Sequence, residues 1–217
     1  MRKLALAGLV GPPLFAAVVV LLTAIEWDFL HDLGWTAGPL DHPDTPWPSS
    51  IALGDYGFAQ VVAFLMLGMS VLALALVLFR LLAVRWKIGA AMLVVLGASF
   101  LCSAFRTDYA TARGEGPDTW NGVTHAAGLT VVIPAAVAAM FALATQFRRD
   151  ERWRPLAWPS LIAAVATLAS LVATLAGGGN LFFYCFLALV LVWLSFVSTQ
   201  AFSLIRSPEV ATGATRA

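Results

Sequence analysis

Six long apolar runs alternate with short polar breaks along the 217 residues of the chain. A helix needs about 20 mostly apolar residues to cross the hydrocarbon of a bilayer. The runs lie at about 4–25, 58–84, 88–105, 122–147, 156–176 and 181–205. They predict an all-α membrane protein, a six-transmembrane-helix bundle forming one domain over 1–206, with a disordered tail at 207–217. Arg2 and Lys3 before the first run also fit a secretory signal. That run is longer than a signal's apolar core, and no A-x-A pattern follows it before Glu26, so an uncleaved first helix is expected. Pro12, Pro13 and Pro134 are expected to bend their helices. Arg85, Trp86 and Lys87 form a tight turn between the second and third runs, and the run Gly177, Gly178, Gly179, Asn180 separates the fifth from the sixth. No internal repeat of the kind that builds many transporters is visible.

Two of the polar breaks are long enough to build something. The first, from about Glu26 to Gly57, holds Pro39, Pro43, Pro46 and Pro48 with Trp35 and Trp47. Proline restricts the chain and a flexible linker would be richer in Gly and Ser, so an ordered, irregular extracytoplasmic cap is expected. The second runs from Arg106 to Asn121.

Composition confirms the solvent. The chain is 60% hydrophobic and 12% charged, about half the charge of an ordinary soluble domain. The bilayer is therefore its expected partner. A net charge of +1 argues against nucleic acid, whose phosphates call for a basic field. Cys102 and Cys185 are too few for a disulfide framework and make no CxxC pattern. Both lie toward the outer ends of their spans. They could pair in an oxidising compartment, but buried free thiols are expected.

Charge also gives orientation. With the N-terminus inside, eleven of the thirteen Lys and Arg fall in inner segments, and only Arg106 and Arg113 fall outside. This is the positive-inside pattern, and both termini are then cytoplasmic. Glu26, Asp28, Asp32, Asp41, Asp44, Asp55, Asp108, Glu115 and Asp118 segregate to the outer side, as do His31, His42 and His125. Tryptophans fall near both interfaces, except Trp193, which is expected to pack near the middle of a span.

The outer polar face holds the candidate chemistry. Asp108 is expected at the C-terminus of the third span, where the helix dipole disfavours an acid and calls for a partner such as Arg113 or His125. His125 falls in the first turn of the fourth span, after Asp118, Thr119 and Asn121, each a suitable N-cap. The dipole there favours a neutral imidazole, and a carboxylate beside it would make a general base. A lone histidine bonded to a neighbouring helix is the plainer alternative. Haem is disfavoured, because only His125 is near a span, and no cofactor is identified. Glu26, Asp28, His31 and Asp55 could bind a divalent cation, but their spacing is generic and a solvated acidic rim explains them; no metal ligand is assigned.

The stretch Pro46-Trp47-Pro48-Ser49-Ser50, followed by Ala52-Leu53-Gly54-Asp55-Tyr56-Gly57-Phe58-Ala59-Gln60, resembles the DUF998 family of bacterial membrane proteins. In that family a Ser-x-Leu-Gly type segment leads into a Gly-rich second span. Phe105-Arg106-Thr107-Asp108 resembles its Phe-Pro-Thr-Asp motif, and Asn121-Gly122-Val123-Thr124-His125 its His-Gly-x-x-His motif. The resemblance runs from the first span to the sixth. It implies a helical bundle in the cytoplasmic (inner) membrane of a bacterium and supplies no activity. Arg106 stands in place of a proline and Asn121 in place of the first histidine, so any role of a histidine pair is halved here.

Three functional classes follow. The first is an intramembrane enzyme acting on a lipid or isoprenoid by hydrolysis or acid-initiated prenyl cyclisation. Asp108, His125, Asp55 and Glu26 would be its acid–base groups, and Arg106, Trp120, Asn121, Asp28 and Trp47 would contact substrate. Phe100, Phe105, Trp120, Phe182, Phe183 and Tyr184 could wall a carbocation or simply pack. The second is a non-catalytic lipid-binding, sensory or assembly scaffold. The third, ion-coupled transport, is the weakest, because no span carries an ionisable residue near its middle.

Overall fold

The computed structural model describes residues 1–33, 48–83, 87–112, 115–178 and 180–206. Trp35, Pro39, His42, Pro43, Pro46 and Trp47 of the expected cap lie outside the described residues. So do Asp41 and Asp44, Arg85 and Trp86 of the tight turn, Arg113, and the expected disordered tail.

Among the described residues, all regular structure is helical. Helix α1 spans Arg2–Ile25 and the short α2 spans Trp27–Asp32. A 3-10 helix at Pro48–Leu53 leads into α3, Gly57–Leu81. Next come α4, Ile88–Ser103, the four-residue α5, Tyr109–Ala112, and α6, Trp120–Phe147. Helix α7, Ala157–Ala173, ends in a π-helical turn at Thr174–Gly178 and is followed by α8, Asn180–Arg206. Pro12 and Pro13 lie inside an unbroken α1, and Pro134 inside an unbroken α6.

Among the described residues, five stretches are long and apolar enough to cross a membrane: Arg2–Ile25, Gly57–Leu81, Trp120–Phe147, Arg154–Ala176 and Phe182–Arg206. All six predicted runs form helices, but the third is shorter than expected. Its 16 residues rise about 24 Å, against a hydrocarbon thickness of about 30 Å. The chain thus has multi-pass membrane character, with five full-length candidate spans and one shorter apolar helix.

The six apolar helices close a ring. α1 packs on α3, α3 on α4, α4 on α6, α6 on α7, α7 on α8, and α8 returns to α1. Phe15, Leu67, Leu74, Leu93, Leu96, Phe100 and Phe186 fill its interior. Val20, Leu21, Phe58, Met69, Ile162 and Leu175 face outward, as lipid-facing positions should. Lipid tails are as apolar as leucine, so close packing has to hold such helices together. α3 and α4 meet through Gly68 and Gly97, where an added Cβ on Gly68 would lie 2.9 Å from the Gly97 carbonyl oxygen. Only glycine admits backbones this close.

Several helix hydroxyls find backbone partners, while Gln60, Ser70 and Ser198 carry buried polar atoms with no hydrogen-bond partner among the described residues. The hydroxyls of Thr23, Ser99, Ser103, Ser195 and Thr199 donate to the carbonyl one turn earlier. Trp193 is buried, as expected, and its indole N–H donates to Ser160 Oγ at 2.9 Å. Cys102 and Cys185 are free, as expected, but both are exposed and not buried. Each sits on an outward side of its helix, where a small soft side chain faces the surroundings and not the core.

The link between α6 and α7 forms a second polar knot. Asp150 pairs with Arg152 at 2.8 Å. Arg152 also donates to the Leu81 carbonyl at the end of α3, and Gln200 of α8 donates to the Arg152 carbonyl. The Arg152 hydrogen bonds hold the Asp150 carboxyl below its ordinary range despite partial burial.

Candidate functional site

Asp108 organises the loop between α4 and α6. α4 stops at Ser103, so Asp108 does not end that helix as expected; it begins α5. Its carbonyl accepts from Ala112 N, and its Oδ1 accepts from Thr111 N at 2.8 Å. Its Oδ2 accepts from Asp118 N at 3.1 Å, Thr119 N at 3.1 Å and Thr119 Oγ1 at 3.0 Å. Thr119 in turn caps α6, accepting from Gly122 N at 3.0 Å. An added Cβ on Gly122 would lie 1.9 Å from Asp108 Oδ2, so the carboxylate fills the space a side chain would take. Among the described residues its hydrogen-bond donors are uncharged: three backbone N–H groups and one hydroxyl, with His125 bonded elsewhere and Arg113 outside the described residues. Burial pushes the Asp108 carboxyl up, but hydrogen bonds from Thr111 and Thr119 outweigh it and hold the group well below the usual carboxylate range.

His125 lies in the second turn of α6 and is 1% exposed. Its Nδ1 is 2.8 Å from the Phe105 carbonyl oxygen. A carbonyl only accepts, so Nδ1 carries the proton and, in the neutral ring, Nε2 carries the lone pair. The ring edge meets Phe64 of α3 with centroids 5.9 Å apart. A backbone carbonyl, and not a carboxylate, orients this imidazole. Nε2 is buried and has no hydrogen-bond partner among the described residues. An unpaired buried acceptor costs about 1–3 kcal/mol.

Beside this imidazole lies a cavity of about 230 Å³. Ser49, Thr111, His125, Ala126, Leu129, Thr130, Ile133 and Phe183 line it. A narrow void of about 20 Å³ between α1, α3, α4, α6 and α8 shares Ser49, Leu129 and Phe183 with it and is otherwise walled by Phe15, Phe64, Phe100 and Phe186 among others. Asp108 does not line the cavity. It stands behind Thr111, whose N–H it holds.

The remaining candidates separate from this pocket. Glu26, 6% exposed, turns inward and accepts from Tyr56 N at 2.5 Å, at the start of α3. An added Cβ on Gly54 would lie 2.5 Å from Glu26 Oε2. Glu26 therefore joins the end of α1 to the start of α3, away from the exposed Asp28 and His31 of α2. Arg106 donates to the Leu53 carbonyl at 2.9 Å and shares an open surface groove with Asp55, Phe58 and Val62. Trp120 is exposed and meets Phe105 edge-on at 5.1 Å, and Asn121 is half-buried. Trp47 lies outside the described residues. Among the described residues, no group of three or more His, Cys, Asp and Glu is placed to hold a metal ion.

Sequence reasoning did not single out Thr111, Ala126, Leu129, Thr130 or Ile133. Leu129 and Ile133 follow His125 at i+4 and i+8, so the stripe below the histidine was legible. Nothing in the sequence brings Thr111 or Ser49 to that stripe.

The family model described as "Protein of unknown function (DUF998)" matches residues 9–200. No curated protein and no solved structure matches the chain.

Proposed function

We propose, for a chain that belongs to the DUF998 family, that it crosses the bacterial cytoplasmic membrane six times and binds a lipid or isoprenoid in the pocket beside His125. The buried imidazole, its Nε2 unpaired among the described residues, on a cavity otherwise lined by apolar and hydroxyl side chains carries this reading. Binding sites of this kind combine an apolar wall with a few placed polar groups. In this arrangement α4 spans a locally thin bilayer, and both termini are cytoplasmic, in keeping with the charge bias. The Asp108 knot and the pocket then sit near the outer surface, and the Asp150–Arg152 knot near the inner one.

Binding is favoured over acid-initiated cyclisation. Such an initiator is a carboxylic acid kept protonated. The hydrogen bonds to Asp108 favour its ionised form, and the Glu26 carboxylate is engaged by the start of α3. A catalytic reading keeps one specific support: an imidazole with Nδ1 bonded and Nε2 free has the form of a general base.

The test is a mass-spectrometric survey of lipids that co-purify with the wild type and with Ile133→Trp, which fills the cavity. A lipid species retained by the wild type and lost from a folded variant is expected. Identical lipid profiles would overturn the binding reading, and conversion of an added ligand into a product would replace it with the enzyme. Orientation is checked separately with a membrane-impermeant thiol reagent on cells. Asp28→Cys should label and Arg149→Cys should not, in a background lacking Cys102 and Cys185. The opposite pattern refutes the orientation.

A further inference from the structure

We infer that the His125 pocket seats the uncharged hydroxyl end of a long-chain alcohol, whose tail remains in the surrounding hydrocarbon. This rests on the binding reading above and names the chemical class of its ligand.

The tautomer decides what the ligand must offer. Nδ1 donates to the Phe105 carbonyl at 2.8 Å, so Nε2 of the neutral ring can only accept. Among the described residues that lone pair is buried without a hydrogen-bond partner, on a side chain that lines the cavity. An occupant that satisfies it has to bring a hydrogen-bond donor.

The wall decides the charge. Among the described residues its polar side chains are Ser49, Thr111, His125 and Thr130, none of them charged at neutral pH when the imidazole is neutral. The nearby charged groups among the described residues are committed elsewhere. Asp108 accepts from the loop backbone and Thr119, and Arg106 donates to the Leu53 carbonyl. Among the described residues a phosphate or carboxylate head would find no cation on this wall, and it would meet the Nε2 lone pair. An ammonium head could donate to Nε2 but would find no carboxylate among the described wall residues, and a lone buried charge is costly. A hydroxyl donates one hydrogen bond to Nε2 and accepts from a wall hydroxyl, with no charge to bury.

The volume decides how much of the ligand enters. About 230 Å³ is below the roughly 300–1,000 Å³ of pockets that enclose a drug-sized ligand. The head and first carbons fit, and the rest of the chain has to leave. Thr130 is exposed at the rim and its hydroxyl is spent on the Ala126 carbonyl. Together with Leu129 and Ile133 it makes an apolar exit toward lipid.

The experiment compares three probes of one chain length, farnesol, farnesyl phosphate and farnesylamine, on the full-length protein in nanodiscs. Saturable farnesol binding is expected, at least about tenfold tighter than either charged probe. His125→Phe should weaken it by about tenfold or more, and Ile133→Trp should abolish it. In ¹⁵N spectra of the imidazole, farnesol should shift Nε2 and leave Nδ1 protonated. Tighter binding of the phosphate or the amine overturns the inference while sparing the binding reading. Equal, non-saturable uptake of all three overturns it as mere partitioning. Failure of every probe, with no lipid lost from Ile133→Trp, overturns both. Should His125→Phe fail to fold, Ile133→Trp and the probe series still decide, because both leave the imidazole in place.

Discussion

Asp108→Asn asks whether one carboxylate holds the loop and the start of α6. In the wild type the group accepts four hydrogen bonds, from Thr111 N, Asp118 N, Thr119 N and Thr119 Oγ1. Asparagine keeps one acceptor oxygen and puts an NH₂ in place of the other. With the oxygen toward Thr119, the amide faces the Thr111 N–H, donor against donor. The three remaining bonds lose their charge assistance. Hydrogen bonds to charged groups contribute about 1.5–3 kcal/mol and neutral ones about 0.5–1.5 kcal/mol. Such terms do not add fully within one network, so a local loss of about 2–4 kcal/mol is expected. Amide hydrogen exchange across residues 108–123 reads it directly. A loss of 2 kcal/mol raises local exchange roughly thirty-fold, while α4 stays protected. A rise of less than about threefold at Thr111, Asp118 and Thr119 would refute the reasoning, because the carboxylate would then not be holding those amides. The pH dependence has a fixed sign. The folded carboxyl titrates below its unfolded value of about 3.9, so its contribution is complete above that value. It is lost only as pH falls through the lower, folded value. Exchange in this loop should therefore be independent of Asp108 protonation between about pH 5 and 8.

Three further outcomes follow from the same packing. Gly122→Ala puts a methyl 1.9 Å from Asp108 Oδ2 and should destabilise by about 1–3 kcal/mol; a thermal midpoint equal to the wild type would refute the close approach. Asp150→Ala removes the partner of Arg152, which is 41% exposed at its side chain. The cost should be modest, about 1 kcal/mol, with faster exchange of residues 149–156. In the wild type that contribution is present above the unfolded carboxyl value and lost as acid protonates Asp150. Trp193→Phe keeps the aromatic packing but drops the bond to Ser160. Reversible unfolding in mixed micelles should show a loss of about 0.6–1.7 kcal/mol, and no change would mean the bond contributes nothing in lipid.

The apolar runs determined much of this protein without any structure. Length and hydropathy placed all six helices, because a bilayer-facing helix has to be apolar nearly all round and no shorter pattern imitates that. The helix-start chemistry of Thr119 and the packing role of Trp193 were also local enough to read. The tertiary structure decided what local reasoning left open. It stopped α4 at Ser103 and turned Asp108 from a helix-end acid into the anchor of the next two helix starts. It gave His125 the Phe105 backbone carbonyl, just past the end of α4, as its partner, in keeping with a histidine bonded to a neighbouring helix and not with a carboxylate-oriented base. It joined Glu26 to Tyr56, thirty residues away. The physical reason is common to all three. A polar side chain buried at the end of a bundle takes whichever donor or acceptor the chain's closure brings within hydrogen-bond reach. That choice depends on where neighbouring helices end, and sequence spacing does not encode those ends. Hydropathy marked the helix ends as polar, but only the closed ring produced a largely apolar pocket with the His125 imidazole on its wall, its Nε2 unpaired among the described residues.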